Sequence, residues 1–131
     1  MQDKKVLSIE DDAFLSSIIS SKLIENGFSV ITANTGADGI AKAKAELPKV
    51  ILLDLMLPDM GGFDILQAIK SEPTTANIPV IILSNLGGRE EIEKSVQLGA
   101  DSYLIKSNVL PQEVAEMVEQ RISAMQKAQQ G

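Results

Sequence analysis

The chain has 131 residues, with 12 Lys and Arg against 18 Asp and Glu, a formal net charge of −6, and no His, Cys or Trp. That length suits one domain, and 44% hydrophobic against 3% aromatic residues makes its core aliphatic. Disulfides, thiol nucleophiles, imidazole bases and Cys/His zinc sites are excluded, any metal must sit on oxygen, and the acidic balance argues against direct binding to nucleic acid or an anionic membrane.

The first residues lead straight into a short apolar run, too short for the core of a signal peptide. Runs such as Val50–Leu53 are far below membrane-spanning length, so a soluble, cytoplasmic protein with no membrane association is expected. The first strand is Val6-Leu7-Ser8-Ile9, followed by Glu10-Asp11-Asp12. Phe14, Leu15, Ile18, Ile19 and Leu23 then recur at helical spacing, with Asp12 as N-cap and Gly27 as stop. Residues 28–32 (Phe-Ser-Val-Ile-Thr) alternate apolar and polar, which places this second strand at a sheet edge, and Ala33-Asn34-Thr35-Gly36 after it brings no charge.

The third strand, Val50-Ile51-Leu52-Leu53, is wholly apolar and runs into Asp54. After the Gly61-Gly62 turn, Ile65, Leu66 and Ile69 mark a helix. Val80-Ile81-Ile82-Leu83 forms the fourth strand, ending in Ser84-Asn85, and Gly87-Gly88 precedes a helix carrying Ile92 and Val96. Tyr103-Leu104-Ile105 is the fifth strand and ends at Lys106. Pro111 suits the first turn of the last helix, whose one face carries Val114, Met117, Val118, Ile122 and Met125. The domain is expected to span residues 1–125, with residues 126–131 as a polar tail or linker stump.

Five β-then-α units imply an α/β fold: a doubly wound (βα)5 sandwich with a five-stranded parallel sheet of order 2-1-3-4-5 and helices on both faces. In such a fold ligands bind beyond the carboxyl ends of the strands, at the switch point between strands 1 and 3. Glu10, Asp11, Asp54, Ser84 and Lys106 all fall on that rim. Singly, each has an ordinary structural role as a cap, turn former or solvated loop residue; on adjacent strand ends they form a constellation. Clustered carboxylates oppose folding unless a cation joins them, and oxygen ligands alone suit Mg²⁺. Mg²⁺ completes its shell with water and phosphate oxygens, so the site is built to meet a phosphoryl group, with Lys106 and Ser84 positioned to pair with it.

Three segments extend this pattern: Ile51-Leu52-Leu53-Asp54-Leu55-Met56-Leu57-Pro58-Asp59-Met60-Gly61-Gly62, Val80-Ile81-Ile82-Leu83-Ser84, and Gly99-Ala100-Asp101-Ser102-Tyr103-Leu104-Ile105-Lys106. With the Glu10-Asp11-Asp12 strand end, the chain resembles the receiver domain of bacterial two-component response regulators, the chemotaxis-regulator-like member of the flavodoxin-like folds, over residues 5–122. The resemblance implies that Asp54 accepts a phosphoryl group from phosphohistidine on a sensor histidine kinase or phosphotransfer protein. It implies Mg²⁺, with Mn²⁺ as substitute, on Glu10, Asp11, Asp54 and the Met56 backbone carbonyl. Ser84 is then the switch hydroxyl, Tyr103 the coupled aromatic, and Lys106 the partner of the phosphoryl group. The fourth helix, strand 5 and the last helix form the face for a downstream protein or a second copy of the chain.

Two departures stand out. Receivers usually follow this lysine with a cis proline, whereas Ser107 follows here, and a cis Lys106-Ser107 bond is nevertheless expected. Asn85 replaces the usual Ala or Gly, and with Met56 it is expected to tune the lifetime of the phosphorylated form.

Rival classes fit less well. A dehalogenase-type phosphatase needs a second Asp at position 56, which is Met; a dinucleotide-binding turn would not carry Glu10-Asp11-Asp12. A degenerate receiver serving only as an interaction module would have lost an acid or Lys106, and all are present. The expected activity is that of a signalling domain that assists its own phosphorylation and dephosphorylation rather than of an enzyme.

Overall fold

The computed structural model describes residues 4–130, with side chains through 127; residues 1–3 and Gly131, the ends of the expected domain and tail, lie outside the described residues. Among the described residues, five strands alternate with five α-helices: β1 (Lys5–Ile9), α1 (Ala13–Glu25), β2 (Ser29–Ala33), α2 (Gly36–Glu46), β3 (Val50–Leu53), α3 (Gly62–Ser71), β4 (Val80–Ser84), α4 (Arg89–Gln97), β5 (Ser102–Ile105) and α5 (Pro111–Gln130). A 3₁₀ turn, Lys106–Asn108, joins β5 to the last helix. All strand pairs are parallel, in order β2-β1-β3-β4-β5, as the sequence predicts.

Strand geometry explains why the central runs are continuously apolar. Successive side chains point to opposite faces, and both faces are covered. Leu7, Ile9, Ile51, Leu53, Val80 and Ile82 pack with Ile65, Leu66 and Ile69 of α3. Their alternates Val6, Val50, Leu52, Ile81 and Leu83 pack with Ile19 and Leu23 of α1 and Val114, Val118 and Ile122 of α5. At the edge, the polar Ser29 and Thr32 of β2 are exposed, whereas Val30 and Ile31 are partly buried and Ala33 is buried. The Lys42 ammonium closes part of that edge by donating to the Thr32 carbonyl (2.7 Å) while pairing with Asp38 (2.9 Å).

The helices depart from expectation in two places. Of the expected α1 face, Ile19 and Leu23 are buried, but Phe14 is 77% exposed. In α4 the buried residue is Ser95, and Val96 is 62% exposed. The Ser95 hydroxyl donates to the Ile92 carbonyl at 2.7 Å, so this small polar side chain can be enclosed with its bond satisfied, while Val96, about 100° further round the helix, turns outward. The last helix continues to Gln130. Gly27 is the α1 stop, with φ 91° beyond the Asn26 cap. Among the described residues, no helix is long and apolar enough to cross a membrane.

Candidate functional site at the strand ends

Register places the acids. Ile9 pairs with Leu53 across β1 and β3. One step further, the Glu10 N–H donates to the Ala33 carbonyl (2.9 Å) and the Asp54 N–H to the Ile9 carbonyl (3.0 Å). Both carboxylates therefore leave the sheet where the core ends, and they are only 7% and 4% exposed. Asp11 follows on the exposed side. One carboxylate oxygen from each of Glu10, Asp11 and Asp54 lies within 4.8 Å of the other two.

Lys106, the first residue after β5, reaches across β4 to this cluster. Strands two apart are separated by about 10 Å, so the side chain must extend to do so. Its Nζ lies 2.7 Å from Asp54 Oδ2 and 2.6 Å from Glu10 Oε1. Burial alone would lower the lysine's affinity for its proton, but the hydrogen bonds and charges of Asp54 and Glu10 outweigh it and hold the ammonium above its ordinary value. Burial pushes the Glu10 carboxyl up, against the opposing bonds from Lys106 and the Asp12 amide.

Backbone amides bind other carboxylate oxygens. Met56 N–H donates to Asp54 Oδ1 at 3.0 Å, and Asp12 N–H to Glu10 Oε2 at 3.1 Å. Asp12 stands outside the acid cluster and caps α1, accepting from the Leu15 N–H at 3.1 Å, as expected. A polar cleft of about 470 Å³, lined in part by Asp11, Ser16, Ser17 and Asn34, opens beside Glu10.

Ser84 is fully buried, and its hydroxyl accepts from the Leu86 N–H at 3.3 Å. Tyr103, half-buried, donates its phenol to the Leu86 carbonyl. One loop residue thus holds both side chains of the expected switch. Burial, with the charges of Glu91 and Asp54, raises the Tyr103 phenol's pKa.

The Lys106-Ser107 peptide corrects an expectation. No peptide bond among the described residues is cis. Outside proline a cis bond costs about 2.5–4 kcal/mol, and here the chain turns through the Lys106–Asn108 3₁₀ turn without it. The Ser107 N–H, which a proline would lack, donates to Asn85 Oδ1 at 3.2 Å.

Two further contacts escape a reading of the sequence. Lys106 bridges Glu10 as well as Asp54. Asp59, from the loop after β3, accepts from the Gly36 N–H (2.7 Å) and the Ala37 N–H (3.0 Å) at the start of α2. These two backbone bonds hold the Asp59 carboxyl below its ordinary value. The partners are 23 and 22 residues away, so no local sequence signal marks them.

Fold and rim together define a doubly wound α/β domain with an oxygen-only acid cluster and a fixed ammonium beside it. The family model of the response regulator receiver domain matches residues 6–119. The chain belongs to the receiver-domain family of two-component response regulators. A CheY-like receiver domain protein from Methanospirillum hungatei JF-1 superposes with a TM-score of 0.88 at 28% identity, covering 97% of this chain and 99% of that one. The Mn(2+)-bound form of response regulator Rcp1 matches with a TM-score of 0.74 at 28% identity, over 88% of this chain and 89% of that one. The DNA-binding dual master transcriptional regulator RpaA of Synechocystis is 38% identical over 114 residues, 87% of this chain and 46% of RpaA. The chain spans less than half the length of the curated relatives it matches.

Proposed function

We propose that Asp54 is the phosphoacceptor, taking a phosphoryl group from phosphohistidine on a sensor histidine kinase or phosphotransfer protein. The observation that carries this reading is the Lys106 ammonium, 2.7 Å from a carboxylate that is only 4% exposed yet stands at an open rim. A carboxylate oxygen attacks phosphorus as the phosphorus–nitrogen bond breaks, forming an aspartyl phosphate. Lys106 meets the charge spreading over the transferring oxygens, and the Met56 amide holds the other Asp54 oxygen in place.

Glu10, Asp11 and Asp54 are the residues that would hold Mg²⁺, or Mn²⁺ in its place, with the Met56 backbone carbonyl. Three oxygens within 4.8 Å and no nitrogen or sulfur donor fit a hard cation. When bound, the ion supplies charge neutralisation to the phosphoryl oxygens. The Mn(2+)-bound state of the Rcp1 neighbour supports this assignment.

Phosphorylation then acts on the surface through Ser84 and Tyr103, which share Leu86. A phosphoryl group that draws the Ser84 hydroxyl away from Leu86 disturbs the loop to which Tyr103 is tied. The responding face is α4, β5 and α5, for a downstream protein or a second copy of the chain. The same reading makes the domain a signalling module that assists its own phosphorylation and dephosphorylation, acts in the cytoplasm and makes no direct contact with nucleic acid, in keeping with its net charge of −6. Met56 and Asn85 flank Asp54 and Ser84 in sequence and are assigned to tune the lifetime of the phosphorylated form.

The test is incubation with Mg²⁺ and acetyl phosphate, followed by intact mass. One phosphoryl group is gained by the wild type and none by Asp54→Asn; no gain in the wild type, with Mg²⁺ bound, overturns the reading.

A further inference from the structure

We propose that Asn85 is a positioning residue for Lys106: its carboxamide oxygen holds the Ser107 N–H and so fixes the turn that presents the ammonium to Asp54 and Glu10. This inference rests on the phosphoacceptor reading of Asp54 and assigns the part of the site that aims its lysine.

Backbone pairing between β4 and β5 ends at Ser84 and Ile105. Beyond that pair the chains separate, one into the loop before α4 and the other into the Lys106–Asn108 turn. The Asn85-to-Ser107 bond, 3.2 Å long, links the two segments just past the end of the ladder. Its ends are placed to matter: Asn85 adjoins Ser84, and Ser107 adjoins Lys106. The Lys106 side chain must stay extended across β4 to reach acids on β3 and β1, so a small rotation of its backbone moves the ammonium away from its partners at 2.6 and 2.7 Å. A turn held only by its own backbone would leave that orientation loose, and an external acceptor on its second amide fixes it.

The two unusual residues thereby explain each other. An amide N–H at 107 supplies a donor that proline cannot, and a carboxamide at 85 supplies an acceptor that alanine or glycine cannot. Because both residues are exposed, the bond adds little to overall stability; its effect falls on where the lysine points.

The experiment measures phosphorylation by acetyl phosphate at saturating Mg²⁺ for the wild type, Asn85→Ala, Lys106→Ala and the Asn85→Ala/Lys106→Ala pair. Melting temperature and Mg²⁺ affinity are measured alongside. Asn85→Ala slows phosphorylation about three- to tenfold, the range through which one hydrogen bond shifts an equilibrium, with little change in melting or metal affinity. In the Lys106→Ala background the same substitution has no further effect, because the group it aims is gone. Undiminished phosphorylation in Asn85→Ala, or an equal loss in both backgrounds, overturns the positioning role. A wild type that takes up no phosphoryl group overturns instead the phosphoacceptor reading, so the two failures are distinct.

Discussion

Lys106 Nζ lies 2.6 Å from Glu10 Oε1, so the lysine at the end of β5 is bonded to the acid at the end of β1, three strands away. That contact, with the 2.7 Å bond to Asp54, lets two nearly buried carboxylates stand together at the margin of an apolar sheet. Removing one member of such a group leaves the others uncompensated.

Lys106→Met is therefore expected to lower the stability of the metal-free protein by about 2–3 kcal/mol at neutral pH, below the full cost of breaking a deeply buried pair because the site borders solvent. Adding Asp54→Asn removes one of the two orphaned charges and is expected to recover about half of that loss. Urea unfolding of the wild type, the single variants and the double variant measures the coupling; a Lys106→Met protein as stable as the wild type contradicts it.

Asp11 behaves differently. It is exposed, and it adds a third negative charge within 4.8 Å of the other two. Like charges at about 5 Å in water repel by about 0.5–1 kcal/mol, so Asp11→Asn is expected to stabilise the metal-free protein by that amount. The same change weakens Mg²⁺ binding: outer-shell changes at metal sites cost about 10–100-fold in affinity, and loss of a ligand costs no less. Thermal melting with and without Mg²⁺ separates the effects, since the variant should start higher and gain less from the ion.

The ease of reading these acids from the sequence has a physical reason. Asp54 follows the wholly apolar Val50–Leu53, and Glu10 and Asp11 follow the largely apolar Val6-Leu7-Ser8-Ile9, so the acids that end these runs also mark the functional rim. The strands themselves are legible because both faces are covered. Helix α2 is not, since the residues it buries are Gly36, Gly39 and Ala43, which leave no apolar periodicity. The phase of α4 misleads because a serine with a satisfied hydroxyl faces inward while a valine faces out. The Lys106-Ser107 peptide shows where a family pattern overreaches: without proline the trans form is strongly favoured, and the Asn85 acceptor that supports the turn lies 22 residues away.

Asp59 offers a pH-dependent test. Its carboxylate accepts two backbone N–H groups at the start of α2, where the helix dipole also favours negative charge. Those bonds hold its pKa below the ordinary value of 3.8. The folded state thus binds this proton less readily than the unfolded chain, so the stabilisation is present above about pH 3.8 and is lost as pH falls through the depressed folded value. Asp59→Asn, which keeps an acceptor and removes the charge, is expected to unfold at lower urea concentration than the wild type at pH 7. The gap should close as the pH is lowered towards 3; a gap that persists unchanged would show that the charge is not involved.

Gly62 tests the turn that sets Asp54's surroundings. Its N–H donates to the Leu55 carbonyl at 3.1 Å, and the neighbouring Gly61 bridges to Met56, whose amide holds Asp54 Oδ1. A Cβ at position 62 would collide with the Leu55 Cα and carbonyl, and backbone cannot yield by changing rotamer. Gly62→Ala is thus expected to cost about 2–3 kcal/mol, the upper range for overpacking, and to slow phosphorylation as the shifted segment from Leu55 to Met56 loosens the Asp54 bond. Gly87→Ala is the control, because the Cβ there would meet Cδ1 of Ile105, the movable end of a side chain. It should cost under about 1 kcal/mol. Urea unfolding of the two variants decides the matter: equal losses would mean that the close approach at Leu55 relaxes as readily as a side chain does, and that the turn does not constrain the carboxylate.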